Sequence, residues 1–143
     1  MQTTANTLER AAYLISMLGL HTGDQFAAAE SDALDVCAAV YMAAEGICPP
    51  EFSTDELTSI TLIESSALAM AAIRAISDVL DSSVCEDQIA PGMYVPNYIE
   101  HVSNWAATAP IGEKTPPTTS EVIGRILRAA NTLATQTPTH RAA

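Results

Sequence analysis

ALAMAAIRAI, residues 67 to 76, is apolar on nearly every side of a helix, with Arg74 as its one charge. A helix without a polar face is stable only when neighbours cover it. The stretch therefore predicts a central helix, about residues 66–81, with other helices packed around it. It lies within 40 residues, Glu51 to Ala90, that hold no Gly or Pro. Ser53 or Thr54, followed by Asp55 and Glu56, opens a helix ahead of it, with Leu57, Ile60, Leu62 and Ile63 as its apolar positions. Ser65-Ser66 either kinks this run or divides it in two.

Working outward, Asn6 and Glu9 stand at capping-box spacing, and Leu8, Ala11, Ala12, Ile15 and Leu18 follow a 3.6-residue period. Gly19 is placed to end that helix. Residues 20–30, with His21, Gly23 and Asp24, read as a loop. Ser31 can cap a second helix with the stripe Leu34, Cys37, Val40, Tyr41 and Ala44, closed by Gly46. Cys48-Pro49-Pro50 is a break. On the other side, residues 83–96 read as irregular, punctuated by Pro91-Gly92 and Pro96. A hairpin over Ile89–Val95 has only weak support in the pattern. Residues 97–107 form a short helix with Tyr98, Ile99, Val102, Trp105 and Ala106 on one side. Three prolines make 108–117 a loop. Thr118 with Glu121 repeats the capping-box spacing and opens a last helix carrying Val122, Ile123, Ile126, Leu127, Ala130 and Leu133. The expectation is an all-α fold: one domain over residues 1–134, a bundle of five or six helices, and a flexible tail over 135–143.

The 143 residues suit one domain. Such a chain buries roughly 70% of its unfolded surface, so a core without staples is feasible. Hydrophobic residues make up 48%, yet 25 are Ala, and Leu, Ile, Val and Phe together number 31, so the core is built mainly from small side chains. Six Lys and Arg against 17 Asp and Glu leave a formal charge of -11. That charge opposes direct contact with nucleic-acid phosphates or anionic lipid, which demand cations. No run of 18 apolar residues is present, so no membrane span is expected. The N-terminus lacks a positive n-region, which argues against a secretory signal. Cys37, Cys48 and Cys85 are odd in number and contain no CxxC, which suggests free thiols in a reducing, cytoplasmic compartment.

Charge is segregated. Residues 11–113 hold 15 acids and one base, Arg74, whereas 114–143 hold four bases and one acid, Glu121. One explanation is internal neutralisation, with the last helix packed where it balances the acidic body. A second is an acidic face made for a basic partner, and a third is a proteome-wide bias toward Lys-poor composition.

The chemistry is sparse. His21, His101 and Cys37 or Cys48 lack the paired two-to-four-residue spacing of a structural zinc site, so neither metal nor cofactor is expected. No phosphate loop, nucleophile elbow or HExxH is present, so no catalytic residue is assigned. A reaction centre would need a histidine or thiol held against a carboxylate in an enclosed cleft. Glu64 and Arg74 interrupt apolar runs. Facing inward they would form a buried ion pair; at the rim, Arg74 would pair with Asp78. Tyr98, His101 and Trp105 share a helical stripe that would line either a core edge or a ligand pocket. The candidate ligand-binding residues are therefore Glu64, Arg74, Tyr98, His101 and Trp105. Cys37 reads as a core residue, and Cys48, in a loop, as the most accessible thiol.

The segments LERAAYLISMLG (8–19), LDVCAAVYMAAEG (34–46), the Trp105 helix and TTSEVIGRILRAAN (118–131) together resemble small uncharacterised helical proteins of actinobacteria and their phages. The resemblance implies a cytoplasmic bacterial or phage setting and carries no activity. The leading expectation for function is a non-enzymatic acidic module that interacts with a protein partner or with itself as a homodimer. The alternatives are a ligand-binding protein or enzyme with a pocket near the 67–80 and 97–107 helices, and an acidic nucleic-acid mimic, whose acids over residues 24–64 would line one face.

Overall fold

The computed structural model describes residues 2–136. Its elements are α1 (Thr4–Leu18), α2 (Val36–Glu45), a 3-10 turn (Pro50–Ser53), α3 (Glu56–Glu64), α4 (Ala67–Asp78), β1 (Cys85–Ala90), β2 (Met93–Asn97), α5 (Tyr98–Ala107) and α6 (Thr119–Gln136). Helix α6 runs two residues into the expected tail; the remainder of that tail, 137–143, lies outside the described residues.

The expectation of an all-α fold is corrected by the antiparallel hairpin β1–β2, which makes the fold mixed. Pro91-Gly92 supplies its turn, and Gly92 takes φ +76, a conformation glycine adopts without strain. Cys85 faces Asn97, Asp87 faces Val95 and Gln88 faces Tyr94; the register then shifts between Gln88 and Ala90, bulging Ile89. Four of six residues in β1 and four of five in β2 are exposed. Neither face packs on the core, so the apolar–polar alternation that marks a half-buried strand never develops in the sequence.

The helices follow their local codes with two shifts. Thr118 and Glu121 make both bonds of the capping box, at 2.8 and 3.1 Å. Asn97 caps α5 and Gly46 closes α2. Ser66 caps α4 at the Ser65-Ser66 break, where α3 and α4 are bent by 97°. The first helix starts earlier than its capping-box spacing implied: Thr3 accepts from the Asn6 amide, and Gln2 bridges Thr7 to the Ala43 carbonyl of α2. The second starts later. Its cap is Asp35, not Ser31, and Leu34 instead makes isolated bridges to Leu20 and Ala27.

Helix α4 packs against α1, α2, α3, α5 and α6, as a central helix should. It buries Ala69, Ala72, Ile73, Ala75, Ile76 and Ser77 and leaves a narrow solvent stripe of Ala67, Ala71, Arg74 and Asp78. Helix α2 is its equal in the core, with Val36 to Tyr41 all buried. The largest fully buried side chain among the described residues is Phe52 on the 3-10 turn, set edge-on to Tyr41 at 5.3 Å and tilted to Phe26 at 6.2 Å. Among the described residues no single helix is long and apolar enough to cross a membrane.

Candidate functional site

The cap at Asn97 sets the phase of α5. Ile99, Val102 and Ala106 turn into the core, while His101 and Trp105, four residues apart, border a cavity of about 820 Å³. Its walls are α5, the 81–85 segment after α4, the 108–117 loop and the start of α6.

His101 is 6% exposed and tied at both ring nitrogens. Nδ1 lies 2.6 Å from Ser77 Oγ on α4, and Nε2 lies 2.8 Å from Ser82 Oγ. A neutral imidazole carries one N–H, so one serine accepts while the other donates. Burial holds the His101 pKa below the usual histidine value. Fully committed and neutral, the ring joins α4, α5 and the segment between them. His101→Ala should cost about 1–3 kcal/mol, because the buried Ser77 hydroxyl loses its partner. The His101 contribution to stability should also be lost as pH falls below about 6.5, where the unfolded chain takes up a proton that the folded ring resists. His101→Ala should flatten that limb, as urea titrations across pH would show.

Trp105 carries the Arg125 guanidinium 5.5 Å from its ring centre. Arg125 Nη1 donates to the Val79 carbonyl at 2.9 Å, where a cation suits the end of α4, and Nη2 reaches Asp81 Oδ2 at 3.7 Å. This is the one ion pair among the described residues, so internal neutralisation by α6 is slight. Asp81, Glu113 and Glu121 also border the cavity.

A second polar cluster lies in the core. Asp35 Oδ2 accepts from the Cys37 amide at 2.8 Å and from Ser103 Oγ at 3.0 Å, which ties α2 to α5. Burial lifts the Asp35 carboxyl to about 6, despite these bonds and the field of His21. Cys37 Sγ lies 3.5 Å from Ser103 Oγ and 3.7 Å from the Ile99 carbonyl. This is a thiol beside a carboxylate, the pairing a reaction centre would need, but it is sealed among helices. Burial first, and then the Asp35 charge, drive the thiol pKa well up, away from the reactive thiolate. Burial raises Cys48 as well, and Cys85 is raised by burial and by Glu100.

The five sequence candidates separate. His101 and Trp105 meet at the cavity. Arg74 and Tyr98 stack on each other at 5.4 Å, which links α4 to α5. Glu64 and Arg74 are both exposed, and neither the Glu64–Arg74 pair nor the Arg74–Asp78 pair forms among the described residues. Sequence reasoning missed Ser77, Ser82 and Arg125, which come from other elements and are brought to His101 and Trp105 by tertiary packing. Another groove, about 670 Å³, runs between α1 and α2 beside Tyr13 and Met42. Among the described residues no three His, Cys, Asp or Glu side chains gather as a metal site would require.

Comparison with curated proteins finds no match, and neither does comparison with solved structures. The match that does appear is to a family of unknown function, DUF6197, over residues 1–132, and the chain belongs to that family.

Proposed function

We propose that the protein acts by binding rather than by catalysis, that its partner is basic, and that the Trp105 cavity receives a cationic side chain of that partner. The observation that carries this reading is the composition of the cavity. Three carboxylates, Asp81, Glu113 and Glu121, border it, while its one cation, Arg125, is already engaged with Val79, Asp81 and Trp105. A Lys or Arg side chain brings an apolar stem for Trp105, Ile111 and Pro110 and a charge for the rim. The exposed acids elsewhere on the body would add long-range attraction. Binding is favoured over reaction because His101 is saturated with hydrogen bonds and Cys37, the thiol beside a carboxylate, is sealed in the core. Three free thiols also support the reducing, cytoplasmic setting.

Trp105 is the only tryptophan, so its fluorescence reports on the cavity directly. Titration with a short lysine- and arginine-rich peptide should shift its emission saturably and weaken with added salt. The glutamate counterpart should leave it unchanged. Asp81→Asn combined with Glu113→Gln should weaken the basic peptide by about tenfold, roughly 1.4 kcal/mol. Unchanged emission, or an equal response to both peptides, would refute the proposal.

A further inference from the structure

We infer that the β1–β2 hairpin is a docking edge, onto which an extended basic segment of the partner adds as a third strand. The inference rests on the reading above that the partner is basic, but it concerns a different surface. A two-stranded hairpin alone is marginal in water and gains independent stability from a third strand or a packed helix. This one is mostly exposed along both strands. Within seven residues it presents Ile89 at 60% exposure, Met93 at 57%, Tyr94 at 56% and Val95 at 39%. That is the densest group of exposed large apolar side chains among the described residues. Neither strand has a further strand partner among the described residues, so outer-edge backbone donors and acceptors face no ladder.

Charge selects the occupant. Glu86 and Asp87 are exposed on β1, and Glu100 stands at its start, with Oε2 3.6 Å from Cys85 Sγ. No base occurs between Arg74 and Lys114. A second copy pairing β1 against β1 would set these carboxylates across from one another, a destabilising arrangement. Pairing through β2 would meet Pro96, which has no N–H to give. A strand carrying Lys or Arg meets neither obstacle. It would bring cations to Glu86 and to Asp87, which project from opposite faces of β1, and an apolar side chain to Ile89.

The test uses the full-length protein and a ten-residue peptide alternating lysine and threonine, with its glutamate–threonine counterpart as control. Amide exchange is read residue by residue while Trp105 emission is followed in the same samples. The lysine peptide should slow exchange of the 85–90 amides by about tenfold, and the glutamate peptide should not. Glu86→Lys with Asp87→Lys should abolish the protection while the thermal midpoint of the helical signal stays unchanged. If the lysine peptide shifts Trp105 emission but leaves hairpin exchange as it was, the docking edge is refuted and the basic partner stands. If it does neither, both proposals fall. Protection that grows with protein concentration, with no peptide present, would make a second copy the occupant and would also overturn the inference.

Discussion

Phe52→Ala should lower the unfolding free energy by about 3–5 kcal/mol, the range for emptying a large aromatic site in a core. Domains of this kind are stable by only about 5–15 kcal/mol, so the loss takes a large share of the margin. The size of the effect follows from composition. With 25 alanines and two phenylalanines in 143 residues, few side chains are large enough to fill the space between helices. Phe52 is fully buried and meets both other members of the aromatic cluster, Tyr41 and Phe26. Its backbone works as well: the Phe52 carbonyl accepts from the Phe26 amide at 2.8 Å and the Ala27 amide at 2.9 Å, which clips the loop before α2 onto the 3-10 turn. Removing the ring should therefore loosen the 19–35 loop along with the core. Urea unfolding followed by far-ultraviolet circular dichroism measures the loss, and Phe52→Leu should cost less than half as much, because most of the volume is kept. A loss below about 1 kcal/mol for Phe52→Ala would show that the aromatic cluster is peripheral to stability.

Phe52 also shows what was legible in the sequence and what was not. Elements whose signals are local and unambiguous could be read directly: the apolar α4, the Thr118–Glu121 box, and the helix-ending Gly19 and Gly46. Elements with several equivalent local signals could not be placed so well. The stretch before α2 offers Ser31, Asp32 and Asp35 as caps, and propensity does not rank them decisively. Asp35 is the one used, and Ser103, 68 residues away, bonds its carboxylate. The hairpin was signalled only weakly, over Ile89–Val95, for a different reason: alternation records burial of one face, and this hairpin buries neither. Phe52 follows Pro49-Pro50, a sequence that reads as a break, yet the turn there points its ring inward. The site was half visible. His101 and Trp105 share one helix, so their spacing places them together; Ser77, Ser82 and Arg125 reach the same place through tertiary packing, which no local pattern records. Glu64 and Arg74 drew notice as charges in apolar runs, but each lies on the solvent side of its helix, where a charge costs little.

Asp35→Asn should make the protein more stable above pH 7, an unusual outcome for a core residue that caps a helix. The sign follows from linkage. The unfolded carboxyl titrates near 3.8 and the folded one near 6, so between those values the folded state binds the extra proton. Wild-type stability from this group is fullest below about pH 4 and declines as pH rises through 6. A shift of this size corresponds to about 3 kcal/mol as an upper bound. Asparagine keeps an oxygen to accept from Cys37 and Ser103, ranks with aspartate as a cap, and carries no charge to desolvate. The variant should therefore escape the decline that Asp35 imposes on wild type as pH rises through 6. Asp35→Ala is the opposing control. It removes the acceptor from a buried amide and a hydroxyl and should cost about 1–3 kcal/mol below pH 4, a loss that shrinks as pH rises and the wild-type carboxylate is ionised in the core. His101 contributes with the opposite slope, losing stability as pH falls below about 6.5, so in wild type the two trends partly cancel between pH 4 and 6.5. Combining Asp35→Asn with the intact histidine should expose the histidine limb alone, a monotonic fall in stability toward acid. If Asp35→Asn is instead less stable than wild type at pH 7.5, the buried carboxylate charge is stabilised in place, and the field of His21 and the surrounding hydrogen bonds outweigh its desolvation.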